Sequence, residues 1–185
     1  MGGTFDPIHH GHLVAAEEAR WQFRLDEVLF VPAGQPWMKG HREVTSGEHR
    51  YRMTVLATDD DPGFSVSRME LDREGPTHTV DTLRALRSER PDADLFFITG
   101  ADAILDLASW NEPDEALALA TFIAATRPGY DLSALEGAEG IEIVDVPALA
   151  ISSSDIRRRL SEDRPVRYLV PDAVLGYIEK EHVYR

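Results

Sequence analysis

Short apolar runs alternate along this chain with longer stretches in which apolar residues recur every three or four positions. The short runs have the length and composition of buried strands, and the longer stretches have the period of amphipathic helices. The predicted strands span residues 28–31, 64–66, 95–98, 122–125 and 141–146. Because strands alternate with helices, the pattern predicts an α/β fold with a doubly wound parallel sheet and helices on both of its faces.

Residues that favour helix starts mark the predicted helices between these strands. The first helix covers about residues 10–23, and Thr45 and Glu48 have the spacing of a capping box for the second. Starts of later helices are predicted at Pro113, at Ser152 or Ser153, and at Pro171. Ligands of such a fold bind beyond the carboxyl ends of the strands, so polar residues that follow strands are candidates for the site.

Composition and charge narrow the kinds of partner. The 185 residues, 43% hydrophobic and 28% charged, fit one compact domain over residues 1–185. The 19 basic and 33 acidic residues give a formal net charge of −14, which opposes binding to nucleic acid or to anionic lipid. The expected partners are therefore small molecules, and an anionic substrate would require the few basic groups to be concentrated in a cleft.

The sequence contains no cysteine, so disulfides and thiolate metal sites are excluded and any metal ligand must be oxygen or imidazole. The absence of cysteine also suits a reducing compartment. The first residues lack the basic and apolar regions of a secretory signal, and the longest apolar stretch, residues 117–126, is too short to span a bilayer. A cytoplasmic location is the expectation.

The strongest local signal is the segment GGTFDPIHHGH at residues 2–12. Two glycines let a phosphate approach the backbone, and the helix that follows presents free N–H groups and the positive end of its dipole. His9 and His12 are three residues apart, so at a helix start they share a face and can both donate to phosphate oxygens. A transition-metal site at His9, His10 and His12 is the less supported alternative, because no cysteine or HExxH pattern accompanies these residues.

A second segment, ISSSDIRRR at residues 151–159, combines hydroxyl groups at a helix start with a guanidinium one turn later. Hydroxyl and N–H groups at a helix start bind phosphate, and Arg157 can add two parallel N–H donors. Taken alone, the segment is better explained as an ordinary serine cap followed by a solvated basic face.

The sequence resembles the HxGH nucleotidylyltransferases in its GGTFDP, HHGH and ISSSDIR segments. Similarity to bacterial nicotinate-nucleotide adenylyltransferases extends to THTVDTL at residues 77–83, FITGAD at 97–102 with Trp110, and RPGY at 127–130. The similar segments cover nearly the whole chain in the family's order. The resemblance implies a Rossmann-like fold and transfer of the adenylyl group of ATP to nicotinate mononucleotide, which gives deamido-NAD and pyrophosphate.

The resemblance also implies which residues form the site. The ATP-binding residues would be Gly3, Thr4, Phe5, His9, His12, Gly100, Asp102, Ser152, Ser153, Ile156 and Arg157. The nicotinate-nucleotide-binding residues would be Thr79, Trp110, Asn111 and Arg127, with Trp110 stacked on the nicotinate ring. The catalytic residues would be His9, His12, Lys39 and Arg157, and Mg²⁺ would arrive with ATP.

The start of the sequence departs from the family pattern. Members would carry a strand before the glycine turn, whereas only Met1 precedes Gly2 here, so the first strand is expected to be missing. Two other functions stay open at this point: another HxGH enzyme such as a phosphopantetheine adenylyltransferase, and a nucleotide-binding protein without turnover. The oligomeric state, including a homo-oligomer, is open as well.

Overall fold

The computed structural model describes residues 1–34, 44–126, 135, 137–147 and 150–184. The strands are β1 (Gly2–Gly3), β2 (Val28–Pro32), β3 (Phe64–Val66), β4 (Phe96–Gly100), β5 (Thr121–Thr126) and β6 (Ile141–Asp145). The helices are α1 (His10–Phe23), α2 (Gly47–Thr58), α3 (Thr79–Glu89), α4 (Ala101–Leu105), α5 (Pro113–Leu119), α6 (Ser153–Ser161) and α7 (Asp172–Lys180).

The strands form two three-stranded sheets, with the orders β1-β2-β3 and β4-β5-β6. Every pair in these sheets is parallel. The two sheets abut where β1 lies beside β4, and the backbone of Gly2 approaches the Phe97 ring so closely that an added Cβ would lie 3.0 Å from it. The strands thus follow the spatial order β3-β2-β1-β4-β5-β6, which confirms the predicted Rossmann-like α/β fold.

The side chains of β5 show how helices cover both faces of the sheet. Ile123 and Ala125 belong to the core cluster that includes α1, α2, α6 and α7, whereas Phe122 and Ala124 belong to the cluster of α3, α4 and α5. Successive side chains of a strand point to opposite faces, so this alternation means that both faces of β5 are buried. Because helices cover both faces of the sheet, the edge formed by the carboxyl ends of its strands remains as the place where ligands can bind.

All five predicted strands are present, each within two residues of its predicted bounds. Two predicted helix starts need correction. The cap of α2 is Ser46, whose Oγ accepts from His49 N at 3.4 Å, and not Thr45. Pro171 occupies the cap position of α7 and not its first turn, whereas Ser152 caps α6 as one of the predicted pair. The prediction contained neither β1 nor α4, each of which is too short for periodicity to show.

In the part of the chain that the structure describes, no helix is both long and apolar enough to cross a membrane.

Candidate active site

The glycine turn (residues 2–9) connects β1 to α1 at the carboxyl edge of the sheet. Its backbone is unusual at Phe5, a buried residue with φ of 50°. Gly3 lies directly against the ring of Phe5, and a Cβ on Gly3 would be 2.7 Å from that ring. Only glycine fits at this position. The absence of a side chain at Gly3 therefore lets the backbone pass close to the Phe5 ring just before the first helix, whose start is a position at which a phosphate can bind.

His9 and His12 form one unit at the start of α1. Their rings are stacked with centroids 3.7 Å apart, and the backbone N–H of His9 donates to Nδ1 of His12 at 3.2 Å. Because Nδ1 of His12 is an acceptor, the neutral ring carries its proton on Nε2. His9 is 1% exposed, while His12 is half-buried and also makes an edge contact with the Phe5 ring. His12 is therefore an oriented N–H donor at a helix start.

The start of α6 meets the glycine turn from the other side. Ser153 Oγ donates to the carbonyl of Pro7 at 2.9 Å, and Ser152 caps the helix by accepting from Asp155 N at 3.2 Å. Arg157 donates through Nη1 to the carbonyl of Asp6 and through Nη2 to Ser154 Oγ at 2.9 Å. The second predicted phosphate-binding segment thus lies next to the first.

The other predicted ATP-binding residues differ from one another in position and in burial. Gly100 ends β4, which adjoins β1, so it shares the carboxyl edge with the glycine turn. Asp102 follows in the first turn of α4 with an exposed side chain. Thr4 lies within the glycine turn. The side chain of Ile156 is fully buried in the core, so this residue can offer a ligand only its backbone.

The predicted nicotinate-binding segment around Thr79 also reaches this edge. Gly34, which follows β2, packs against residues 70 and 77, since an added Cβ would lie 2.2 Å from the Glu70 carbonyl oxygen and 2.8 Å from Thr77 Cγ2. Thr79 is the first residue of α3, two positions later. The start of α3 is therefore close to the residue that follows β2.

Trp110 is packed against the core in this structure. Its ring contacts Phe97 edge-on and Phe122 at a tilt, each with centroids 6.0 Å apart. The indole Nε1 is buried and has no hydrogen-bond partner among the described residues. The neighbouring Asn111 is exposed and donates to Glu112 Oε1 at 3.0 Å. Stacking of Trp110 on a nicotinate ring stays a prediction.

Two predicted site residues, Lys39 and Arg127, lie outside the described residues. Among the residues that the structure does describe, no group of three or more His, Cys, Asp or Glu side chains is arranged to hold a metal ion.

Sequence reasoning missed one residue within the glycine turn, Asp6, and two that contact the turn, Arg50 and Tyr184. Asp6, 1% exposed, accepts from Tyr184 and lies beside Arg157. Arg50, 2% exposed, donates to the carbonyl of Thr4 at 2.9 Å, and burial lowers the pKa of its guanidinium. Asp6 stands inside a motif that the sequence had already marked. Arg50 and Tyr184 lie far away in the chain and carry no local signal.

Comparison with known proteins assigns the chain to a family. The cytidylyltransferase-like family matches residues 1–159. The probable nicotinate-nucleotide adenylyltransferase of Streptomyces coelicolor is 61% identical over 100% of this chain and 99% of its own length. The protein of the same name from Paenarthrobacter aurescens is 59% identical, over 100% of this chain and 89% of its own length.

Solved structures agree on the fold. The nicotinic acid mononucleotide adenylyltransferase of Plasmodium falciparum complexed with NaAD gives a TM-score of 0.83 at 23% identity, over 99% of this chain and 94% of that one. A putative nicotinate-nucleotide adenylyltransferase from Vibrio parahaemolyticus gives 0.73 at 20% identity, over 100% of this chain and 92% of that one. With 61% identity over its full length to a curated relative, the chain belongs to the cytidylyltransferase-like family and, within it, to the nicotinate-nucleotide adenylyltransferases.

Proposed function

We propose that this protein transfers the adenylyl group of ATP to nicotinate mononucleotide, releasing pyrophosphate and forming deamido-NAD in the cytoplasm. The names of its relatives support this pair of substrates. The observation in the structure that carries the proposal is the hydrogen bond from His9 N–H to His12 Nδ1. Because Nδ1 accepts this bond, the ring proton of neutral His12 lies on Nε2, at the start of α1 where a phosphate would bind.

The reaction needs no general base from the protein. The phosphate of nicotinate mononucleotide is largely ionised at neutral pH, because its second pKa is about 6. One of its oxygens forms a bond to the α-phosphorus of ATP, while the bond from that phosphorus to the bridging oxygen of pyrophosphate breaks and its electron pair leaves with pyrophosphate. The protein has to align the two phosphates and stabilise the charge that develops on their oxygens.

Different residues at the carboxyl edge of the sheet would align the phosphates and stabilise the charge on their oxygens. The N–H groups of the glycine turn and of α1 would hold the phosphates of ATP, with His12 donating to oxygens of the phosphorus under attack. Arg157 would hold the phosphates from α6, and 17% of its side chain is still accessible. Lys39 is proposed as a further phosphate contact and Arg127 as a contact to the pyridine nucleotide. We propose that Mg²⁺ is delivered as part of the Mg–ATP substrate.

Nicotinate mononucleotide is expected to be a much better acceptor than nicotinamide mononucleotide. Backbone donors at Thr79 and Asn111 would pair with the carboxylate of the acid, and the amide loses these charge-assisted bonds. Each such bond contributes roughly 1.5 to 3 kcal/mol, so kcat/KM should differ by about 10-fold or more for each donor. The measurement is pyrophosphate release with ATP and each acceptor in turn.

The same assay separates the alternatives. A reaction with 4′-phosphopantetheine in place of the pyridine nucleotides would identify a different enzyme of the superfamily, and ATP binding without pyrophosphate release from any acceptor would identify a binding protein. Equal kcat/KM for the acid and the amide would rule out recognition of the carboxylate.

A further inference from the structure

Glu70 is a buried carboxylate that the proposed mechanism does not use. It lies in the segment that connects β3 to α3, and the residue is only 9% exposed. A carboxylate in such a position is tolerated when hydrogen-bond donors or cations face it. The partners of Glu70 therefore show which parts of the chain it holds together.

One oxygen of Glu70 is bound to the beginning of α3. The hydroxyl of Thr82, a residue that is 3% exposed, donates to Oε1 of Glu70 at 2.7 Å. Arg73 Nη1 donates to the same hydroxyl oxygen at 3.3 Å, which leaves the hydroxyl proton for Glu70. Because α3 begins at Thr79, this bond holds its first turn.

The other oxygen of Glu70 faces the residue that follows the end of β2. The N–H of Gly34 donates to Oε2 of Glu70 in a long hydrogen bond of 3.4 Å, while the carbonyl of Gly34 accepts from Arg50 Nη2 at 3.2 Å. Glu70 also interacts electrostatically with the guanidinium of Arg50 and with the amino group of Met1. Glu70 thus connects the first turn of α3 to the end of β2.

We propose that Glu70 is a positioning residue, which through Thr82 places the backbone donor at Thr79 for the carboxylate of nicotinate mononucleotide. The inference rests on the proposed role of Thr79 in binding this acceptor. A charge-assisted hydrogen bond requires a short distance and a good angle, so a small shift of the first turn of α3 weakens it. The donors proposed for ATP belong to other elements, namely the glycine turn, α1 and α6. Loss of the bond from Thr82 to Glu70 should therefore affect the acceptor and spare ATP.

Two variants remove this connection in different ways. Thr82→Val deletes the hydroxyl and keeps the charge, while Glu70→Gln keeps the shape and turns one acceptor oxygen into a donor. We expect each to raise the KM for nicotinate mononucleotide about 3- to 10-fold, to lower the preference for the acid over the amide, and to leave the Kd for ATP unchanged. Glu74→Gln is the matched control, because Glu74 is exposed and loses the same charge four residues further along. It should match the parent protein in all three quantities.

The comparison of acceptor and ATP separates positioning from a general loss of structure, and the melting temperature of each variant establishes that it is folded. Weaker ATP binding by the same factor in both variants would overturn the inference. An effect of Glu70→Gln without one of Thr82→Val would also overturn it, because the connection to α3 would then not matter. Failure of the proposed function is distinguishable, since the parent protein itself would then make no product with nicotinate mononucleotide, and the inference would fall with it.

Discussion

Arg50 is the largest fully buried side chain in the described part of the chain, and it is a cation. Its guanidinium donates to three backbone carbonyls from separate segments, those of Thr4 at 2.9 Å, Thr45 at 2.9 Å and Gly34 at 3.2 Å. A buried charge is tolerated when its donors are satisfied in this way. One side chain on α2 therefore fixes the glycine turn relative to the end of β2.

We expect Arg50→Met to lower the free energy of unfolding by about 2 to 5 kcal/mol, because three carbonyls lose a charged donor at once. Arg52→Met is the control two residues along the same helix, where the side chain is 63% exposed and pairs with Glu48 on the surface. That change should stay within about 0.5 kcal/mol. Urea unfolding of both variants measures the difference, and losses of equal size would show that Arg50 does not hold the turn.

His12→Ala should reduce kcat about 10²- to 10³-fold with little effect on ATP binding. Oxygens on the phosphorus under attack gain negative charge only as bonds change, so a donor aimed at them acts mainly in the transition state. His10→Ala is the control, since the adjacent ring is not implicated. Arg157→Ala should show the opposite pattern, with weaker ATP binding more evident than slower turnover.

Steady-state kinetics combined with direct ATP titration distinguishes the two patterns. Near-normal kcat in a folded His12→Ala variant would remove His12 from the mechanism and leave it as a residue that accepts from His9 N–H.

Among single residues, the sequence indicated as candidates for the site those that belong to local motifs. His9, His12, Ser153 and Arg157 lie near one another, because each belongs to the start of α1 or of α6 and these two helix starts are in contact. The contacts of Arg50 and Tyr184 depend on how distant segments pack, which no local pattern encodes. Trp110 shows a further limit, since a sequence can suggest a stacking residue without revealing that its ring packs against Phe97.

Among the secondary-structure elements, β1 differs most in length from its neighbours. It has two residues, whereas β2 and β4 have five each. A cleft of about 500 Å³ lies between the N-terminal halves of β2 and β4, where a longer first strand would continue. Leu29, Leu95 and Phe96 are among its lining residues. Parallel strands buried on both faces normally have neighbours on both sides, so the cleft has the position of an additional length of strand.

We expect an extension of about four apolar, β-prone residues before Met1 to raise the melting temperature by about 5 °C or more. Burial of two such side chains contributes roughly 3 kcal/mol or more, and each kcal/mol corresponds to about 2 to 4 °C at this chain length. An extension of equal length made of Gly and Ser is the control. If the apolar extension melts no higher than the control and is cut as readily by protease, the cleft is not a strand position.

The amino group of Met1 gives this experiment a second measurement. It donates to the carbonyl of Leu29 at 2.7 Å, and burial lowers its pKa to about 5. Between about pH 8 and pH 5 the unfolded chain then binds a proton that the folded chain does not. The free energy of unfolding should therefore decrease as the pH falls through this window, by up to about 1.4 kcal/mol per pH unit.

An extension converts this amine into an amide and should abolish that part of the pH dependence. The other ionisable groups are the same in both proteins, so the difference between the two pH profiles isolates the contribution of Met1. Identical profiles would show that the amine is not buried in solution.

Helices and strands that are long enough to show a periodic apolar pattern were predicted well from the sequence. The strands of three to six residues and the long α1 were found from their apolar patterns, while β1 was not, because two glycines carry no hydrophobic signal. The structure has a strand of two residues at Gly2–Gly3, which pairs with Val31 and Pro32, and the expectation of a missing strand before Gly2 stays a prediction.

In the molecule as a whole, the two three-stranded sheets meet at β1 and β4, and the site forms at the same junction. The glycine turn follows β1 from one sheet, and Gly100 ends β4 from the other. Open α/β sheets bind their ligands where the direction of the strand order reverses, which is this point. The fold class was predictable because it needs only the alternation of strands and helices, while the single domain over residues 1–185 stays a prediction.

The sequence separation of the contacts at the glycine turn has a consequence for synthesis of the protein. The turn contains some of the first residues to be made, yet its partners Ser153, Arg157 and Tyr184 follow it by 146, 151 and 178 positions. A nascent chain folds from its N-terminal side, so most of the sheet can form while these partners are still on the ribosome. The contacts of the glycine turn can be completed only when Tyr184 has emerged, and a chain interrupted before that residue would have much of the fold without the full candidate site.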